Sequence, residues 1–238
     1  MPTNIVYSGD FVKIVKIPSR GIFQIQFSYS NSALINSLIK TRIIQGATAT
    51  DDYKVVQFKA ASVQTLKQFQ AEMKAKTGTN SLPISIAAQI MASLAAQLKH
   101  LISAESRTIL GYALDSIIVI NGKKSAFLDS ELISEIGDNM SQVIYPFSSQ
   151  DFFVSPEMLK INTLPSYVHY KTSYFSLACL IIHVLAVNDE LYNQYIQDGN
   201  PDRLMDVFKG HRLKDTKLYW LLSRCVVGDP VERCILFI

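Results

Sequence analysis

The chain has little cysteine, little tryptophan and little charge of either sign in excess. Its 238 residues contain three cysteines, one tryptophan and a formal net charge of +3. Three widely spaced cysteines (Cys179, Cys225, Cys234) in apolar segments argue for free thiols and against a disulfide framework. The mild, dispersed positive charge does not imply a nucleic-acid surface, and none is expected; Lys13, Lys16, Lys123 and Lys124 read as solvated strand and turn positions. The four histidines (His100, His169, His183, His211) show no ligand spacing, and neither HExxH nor CxxC occurs. His183 falls inside an apolar run, where packing is its expected role. That run, Tyr174 to Val187, is too short for the roughly twenty residues that cross a bilayer. No basic-then-apolar leader opens the chain, and no repeat or low-complexity tract interrupts it, so a globular, soluble, intracellular protein is expected.

The strongest local signal is a hairpin. Ile117 to Asn121 and Ser125 to Leu128 are apolar runs joined by Asn-Gly-Lys-Lys, and the second run ends on Asp129. Before it, Ile84 to Ile102 carries apolar and small residues at helical spacing, the mark of a packed core helix. Near the amino terminus, Phe11 to Ile17 and Ile22 to Tyr29 alternate with period two and are joined by Pro18-Ser19-Arg20-Gly21. Ser32 to Ile44 reads as a helix capped by Asn31 or Ser32.

In this order the segments resemble the protein-kinase superfamily in degenerate form. The hairpin resembles the one joining H-R-D-L-x-x-x-N to D-F-G. Phe153 to Leu159 resembles the A-P-E motif, with Ser155, Pro156 and Glu157 in its positions. Ser173 to Val187 resembles the buried D-x-W-S-x-G helix, its positions filled by Ser173, Phe175, Ser176 and Ala178 so that the Asp and Gly are lost. Leu218 to Arg233 resembles the closing helix pair with Asp-Pro-x-x-Arg. The five landmarks span roughly Lys54 to Ile238.

The resemblance implies an α+β, two-lobed protein-kinase-like fold: a reduced β-rich small lobe over residues 1–58 and a mainly helical large lobe over 59–238, forming one domain. The small lobe is expected to be reduced because the chain before Lys54 is short for five strands and a helix. Tyr53 to Phe58 is then its last strand, Lys59 to Ser62 the hinge and Val63 to Lys76 the first large-lobe helix. Taking Lys59 and Glu72 as the nucleotide-binding lysine–glutamate pair leaves too few residues before Ile84 for the remaining strands.

The resemblance also shows what is missing. Asp129 takes the D-F-G position and is the one residual metal or nucleotide candidate. The second metal ligand's slot holds Ser116, the base slot Gly111, and the His-Arg slots Ile109 and Leu110. Gly9, Gly21 and Gly46 are too scattered for a phosphate loop, Gln24 and Gln26 stand where a strand lysine is expected, and the first helix carries no glutamate. Glu157 and Arg233 are retained and are implied to form a buried structural ion pair. The expected function is a catalytically inactive kinase-like protein, a pseudokinase serving as an interaction scaffold or assembly module for a protein partner, without cofactor, metal or membrane span. Two alternatives stay open: an atypical ATP-dependent kinase recruiting Asp115, Asp138 or Glu131, and a switch that holds ATP and Mg²⁺ without phosphotransfer. The degree of divergence resembles that of kinase-like proteins of large DNA viruses, which implies a cytoplasmic or virion location. The segment from Asp129 to Glu157 is expected to be a loop, whose Ile144, Tyr145, Phe147, Phe152 and Phe153 are either tucked in or partner anchors.

Overall fold

In a computed structural model, the amino-terminal residues build an antiparallel sheet around one helix. The structure describes residues 4–17, 21–146, 152–185, 193–195, 197, 199–200, 202–206, 208 and 212–236. Pro18 to Arg20, Phe147, His211, Ile238 and the chain just beyond Leu185 lie outside the described residues. Strands β1 (Asn4–Ser8), β2 (Val12–Ile17) and β3 (Ile22–Phe27) form a meander; α1 (Ser32–Lys40) follows, then β4 (Thr48–Ala49) and β5 (Val55–Lys59). The sheet order is β1-β2-β3-β5-β4. Period-two alternation does the sorting: Phe23, Ile25 and Phe27 are buried, while Gln24 and Gln26 lie on the other face and bond to each other at 2.9 Å.

The amino-terminal unit is therefore not reduced. Five strands and a helix fit before Ala60 because β4 is only two residues long and the connections are tight. Helix α1 starts as expected, with Asn31 Oδ1 accepting from the Leu34 amide at 3.3 Å. It stops at Lys40, short of Ile44, because Arg42 turns left-handed (φ 56°) and sends Ile43 and Ile44 back into the core.

After Ala60–Ser62 the chain forms β6 (Val63–Thr65), α2 (Leu66–Thr77) and α3 (Ile84–Glu105). The expected helix start at Val63 is displaced to Leu66. Thr65 and Gln68 make a capping box there, and Val63–Thr65 pairs with residues 118–120 instead. Then come β7 (Arg107–Ile109), β8 (Ile117–Ile120) and β9 (Lys124–Phe127). Asn121 and Gly122 both have positive φ (53° and 64°), the two-residue reversal that an Asn-Gly pair favours.

The stretch after Asp129 holds more than a loop. It contains β10 (Ile133–Gly137) and β11 (Met140–Val143), reversed at Asp138 and Asn139, both left-handed. With β7 and β12 (Ser166–His169) they make a four-stranded sheet in the order β12-β11-β10-β7. Helices α4 (Pro156–Leu159), α5 (Thr172–Leu185), α6 (Asp202–Asp206) and α7 (Lys217–Cys225) complete the chain.

Two large apolar clusters and a smaller one around Leu110, Val143 and Val168 hold the α+β assembly together. One large cluster joins α3, α5 and α7 through residues such as Leu98, Phe175, Leu180 and Leu222. The other large cluster joins α1 and the first sheet to the β8–β9 hairpin. Nearly all of α5 is buried, which explains its unbroken hydrophobicity. Among the described residues no helix is long and apolar enough to cross a membrane.

Candidate functional site

The hairpin and its flanks bring Ser116, Asp129 and Glu131 to one hollow, while Asp115 and Asp138 do not line it. Ile109 and Leu110 are buried in and after β7, and Gly111, also buried, offers no side-chain base. Ser116 Oγ donates to the Ala113 carbonyl at 2.9 Å and accepts from the Ala113 amide at 3.2 Å, so the hydroxyl closes its own turn. Asp115 is drawn outward to Lys67 on α2, 2.9 Å away. Asp138 sits in the reversal between β10 and β11.

Asp129 follows β9 and caps a short 3-10 turn, Ser130–Leu132, its Oδ1 accepting from the Glu131 amide at 3.1 Å. Burial pushes its carboxyl above the usual range, against the lowering pull of that turn's amides. Partial desolvation and the like charges of Asp129 and Asp10 also raise Glu131. A group whose folded-state pKa is raised penalises the fold when ionised. That penalty is full above the folded pKa and vanishes as pH falls below the unfolded value. Asp129→Asn keeps a capping oxygen and removes the charge. It is expected to raise the melting temperature at pH 7, with the gain shrinking toward pH 3. Melting both proteins across that range checks this, and a less stable variant at pH 7 would show the carboxylate to be favourably held.

Between the first sheet and Asp129 lies a hollow of about 180 Å³. Tyr7, Asp10, Ser116, Asp129 and Glu131 contribute its polar groups, and no Lys, Arg or His lines it among the described residues. Tyr7 folds back over Gly9 so closely that a Cβ at Gly9 would lie 2.7 Å from its hydroxyl. Burial first, then Asp115, Asp129 and Asp10, raise the Tyr7 pKa and keep it protonated.

The rest of the contact between the sheet and the hairpin is apolar. Phe23, Ile25, Val56 and Phe58 of the sheet form one cluster with Ile118, Ile120, Ala126 and Leu128. The Phe23 and Phe58 rings stack with centroids 6.1 Å apart. At the linker, Asn121 Oδ1 accepts from the Ala61 and Ser62 amides at 2.7 and 3.1 Å, and the Asn121 amide donates to the Ser62 carbonyl at 2.9 Å. Lys59 is exposed at the end of β5, while Glu72 is engaged by Lys76 and by Gln64 at 3.1 Å.

Glu157 and Arg233 are joined. The guanidinium is fully buried and makes two parallel bonds to the carboxylate, one of 2.9 Å from Nη2 to Oε2. Its Nε donates to the Val227 carbonyl at 2.8 Å, its Nη2 to Gly228 at 3.0 Å, and the Phe175 ring lies 4.8 Å beneath. Nearby, Ser176 Oγ on α5 reaches the Thr172 and Leu110 carbonyls at 3.0 and 3.4 Å, tying that helix to the segment after β7.

One central residue escaped the sequence. Gln97, fully buried on α3, donates to Ser37 Oγ of α1 (3.1 Å) and to the Phe127 carbonyl (3.0 Å), and accepts from the Phe127 amide (2.8 Å). Its signal was a lone amide on the apolar stripe of Leu94, Leu98 and Leu101. The three cysteines are free thiols, two of them buried. His183 packs its ring 4.9 Å from that of Phe153. Among the described residues no group of three or more His, Cys, Asp or Glu could hold a metal ion. No family model matches the chain. No curated protein matches it either.

Proposed function

We propose that the protein is a kinase-like scaffold without phosphotransfer, a pseudokinase that acts by binding another protein. The observation that carries this reading is the filling of the space between the sheet and the β8–β9 hairpin. Aromatic and aliphatic side chains occupy it, and the polar side chains lining the hollow that remains are hydroxyls and carboxylates. A nucleotide there would meet carboxylates with no cation to offset its phosphates, where phosphoryl transfer needs metal ions, a lysine and a base. The element order supports the kinase-like part: five strands with one helix after the third, a linker, two helices, the hairpin, Asp129, Ser155-Pro156-Glu157, a buried helix and Arg233. The linker supports it from the opposite side, since Asn121 already takes the Ala61 and Ser62 amides that a purine could read.

A kinase that recruits Asp115 is less well supported, because that carboxylate pairs with Lys67 at the surface. The test is thermal stability with ATP and Mg²⁺ or Mn²⁺. Ligand at a hundredfold excess over its Kd stabilises by about 2.7 kcal/mol, so binding is easily seen. No shift is expected, and no label should pass from ATP to generic substrates. A clear shift, or transfer that disappears in Asp129→Asn, would overturn the proposal.

A further inference from the structure

Below Asp129 the second sheet presents an open groove of about 330 Å³. Leu110, Leu132, Ile133, Ile144 and Phe152 give it most of its apolar surface, and Ser134 and Gln142 add polar groups to its lining. Asp129 and Glu131 stand at one end, and no Lys, Arg or His lines it among the described residues. Among the described residues Glu131 has no cationic partner, and the charges that act on it, Asp129 and Asp10, share its sign. Tyr145 and Pro146 form a ridge whose other side drops into a second hollow of about 170 Å³, between Val143, Met158, Ile161 and Leu164. Ile144 is 54% and Tyr145 62% exposed, large side chains held in water just after β11. Isolated exposed apolar residues are ordinary, but two of them flanking paired hollows mark a docking surface.

We propose that this groove docks a partner polypeptide through an apolar side chain placed within a few residues of an Arg or Lys. The apolar residue enters between Ile133, Ile144 and Phe152, and the cation meets Asp129 and Glu131. Charge selects this occupant. An apolar cavity ending in uncompensated carboxylates repels an acidic segment and leaves a neutral one without an ion partner, whereas a cation there forms charge-assisted bonds. The inference rests on the scaffold reading and names the chemistry of the partner.

The probe is a positional-scanning library of blocked nonapeptides presented to the whole chain at low salt. Selection of Leu, Ile or Phe at one position and Arg or Lys close by is expected, with binding that weakens as salt rises. The best peptide should lose about tenfold or more in affinity on Ile144→Ser, and likewise on Glu131→Lys. Both positions are exposed, so the variants should melt like wild type. Exchanging Arg for Glu in the peptide should restore binding to Glu131→Lys. Selection of acidic peptides, no selection, or binding indifferent to both variants would overturn the proposal. So would a concentration-dependent dimer abolished by Ile144→Ser, which would make a second copy the occupant. Failure here with no ATP shift would leave the scaffold reading standing, whereas an ATP shift removes that reading whatever the peptides do.

Discussion

Arg233→Ala is expected to lower stability by about 3 kcal/mol, toward the low end for buried pairs, because it removes the buried member and leaves a Glu157 side chain that is 21% exposed. The guanidinium is fully buried and also holds the Val227 and Gly228 carbonyls, so the truncation orphans main-chain groups as well as Glu157. Domains of this kind are stable by only about 5–15 kcal/mol, so the variant should populate the unfolded state measurably. Arg233→Lys should recover little, since an ammonium cannot make two parallel bonds to the carboxylate while also reaching Val227. Replacing both partners, Glu157→Leu with Arg233→Met, should recover a large part of the loss. Urea unfolding gives the answer as a shift in midpoint at constant slope. A loss below about 1 kcal/mol, the range of surface pairs, would mean that water replaces the guanidinium at little cost.

Gln97→Leu is the second large effect expected. The side chain satisfies both the amide and the carbonyl of Phe127 and also bonds Ser37 of α1. Each buried polar group left unpaired costs about 1–3 kcal/mol, which puts the variant about 2–5 kcal/mol below wild type. Gln97→Glu should be no better, since it sets a carboxylate against the Phe127 carbonyl in a dry site. Besides the unfolding midpoint, exchange of the Phe127 amide with deuterium should quicken relative to its neighbours on β9. An unchanged rate at Phe127 would show that the glutamine is dispensable and that apolar packing alone fixes α1 against α3.

What could be read in the sequence is what local chemistry determines. Asn121-Gly122 specified its reversal because the pair tolerates the left-handed backbone found there. Helices α3 and α5 were legible from apolar spacing, and α1 from its Asn31 cap. The strands that went unread, β1, β4, β6, β7, β10, β11 and β12, are only two to five residues long. Ile133-Ser-Glu-Ile-Gly and Met140-Ser-Gln-Val carry too little alternation to declare themselves. Their stability comes from partners far along the chain: β10 pairs with β7 and β11 with β12. The candidate site divides in the same way. Asp129, Glu157 and Arg233 were legible as types at a spacing. Gln97 was not, because its worth lies in bonds to Ser37 and Phe127, 60 and 30 residues away.

Asn121 serves two masters at once. Its backbone turns the β8–β9 hairpin, and its side chain holds the linker that leads from the first sheet. With apolar packing on one side of this joint and Asn121 on the other, the first sheet and the hairpin are welded rather than articulated. A joint held on both sides favours one arrangement of its two parts. On the scaffold reading proposed above, a partner would then meet a single competent state, with no fraction of molecules waiting to be recruited. Occupancy would follow partner concentration, and release would come from competition, dilution or turnover.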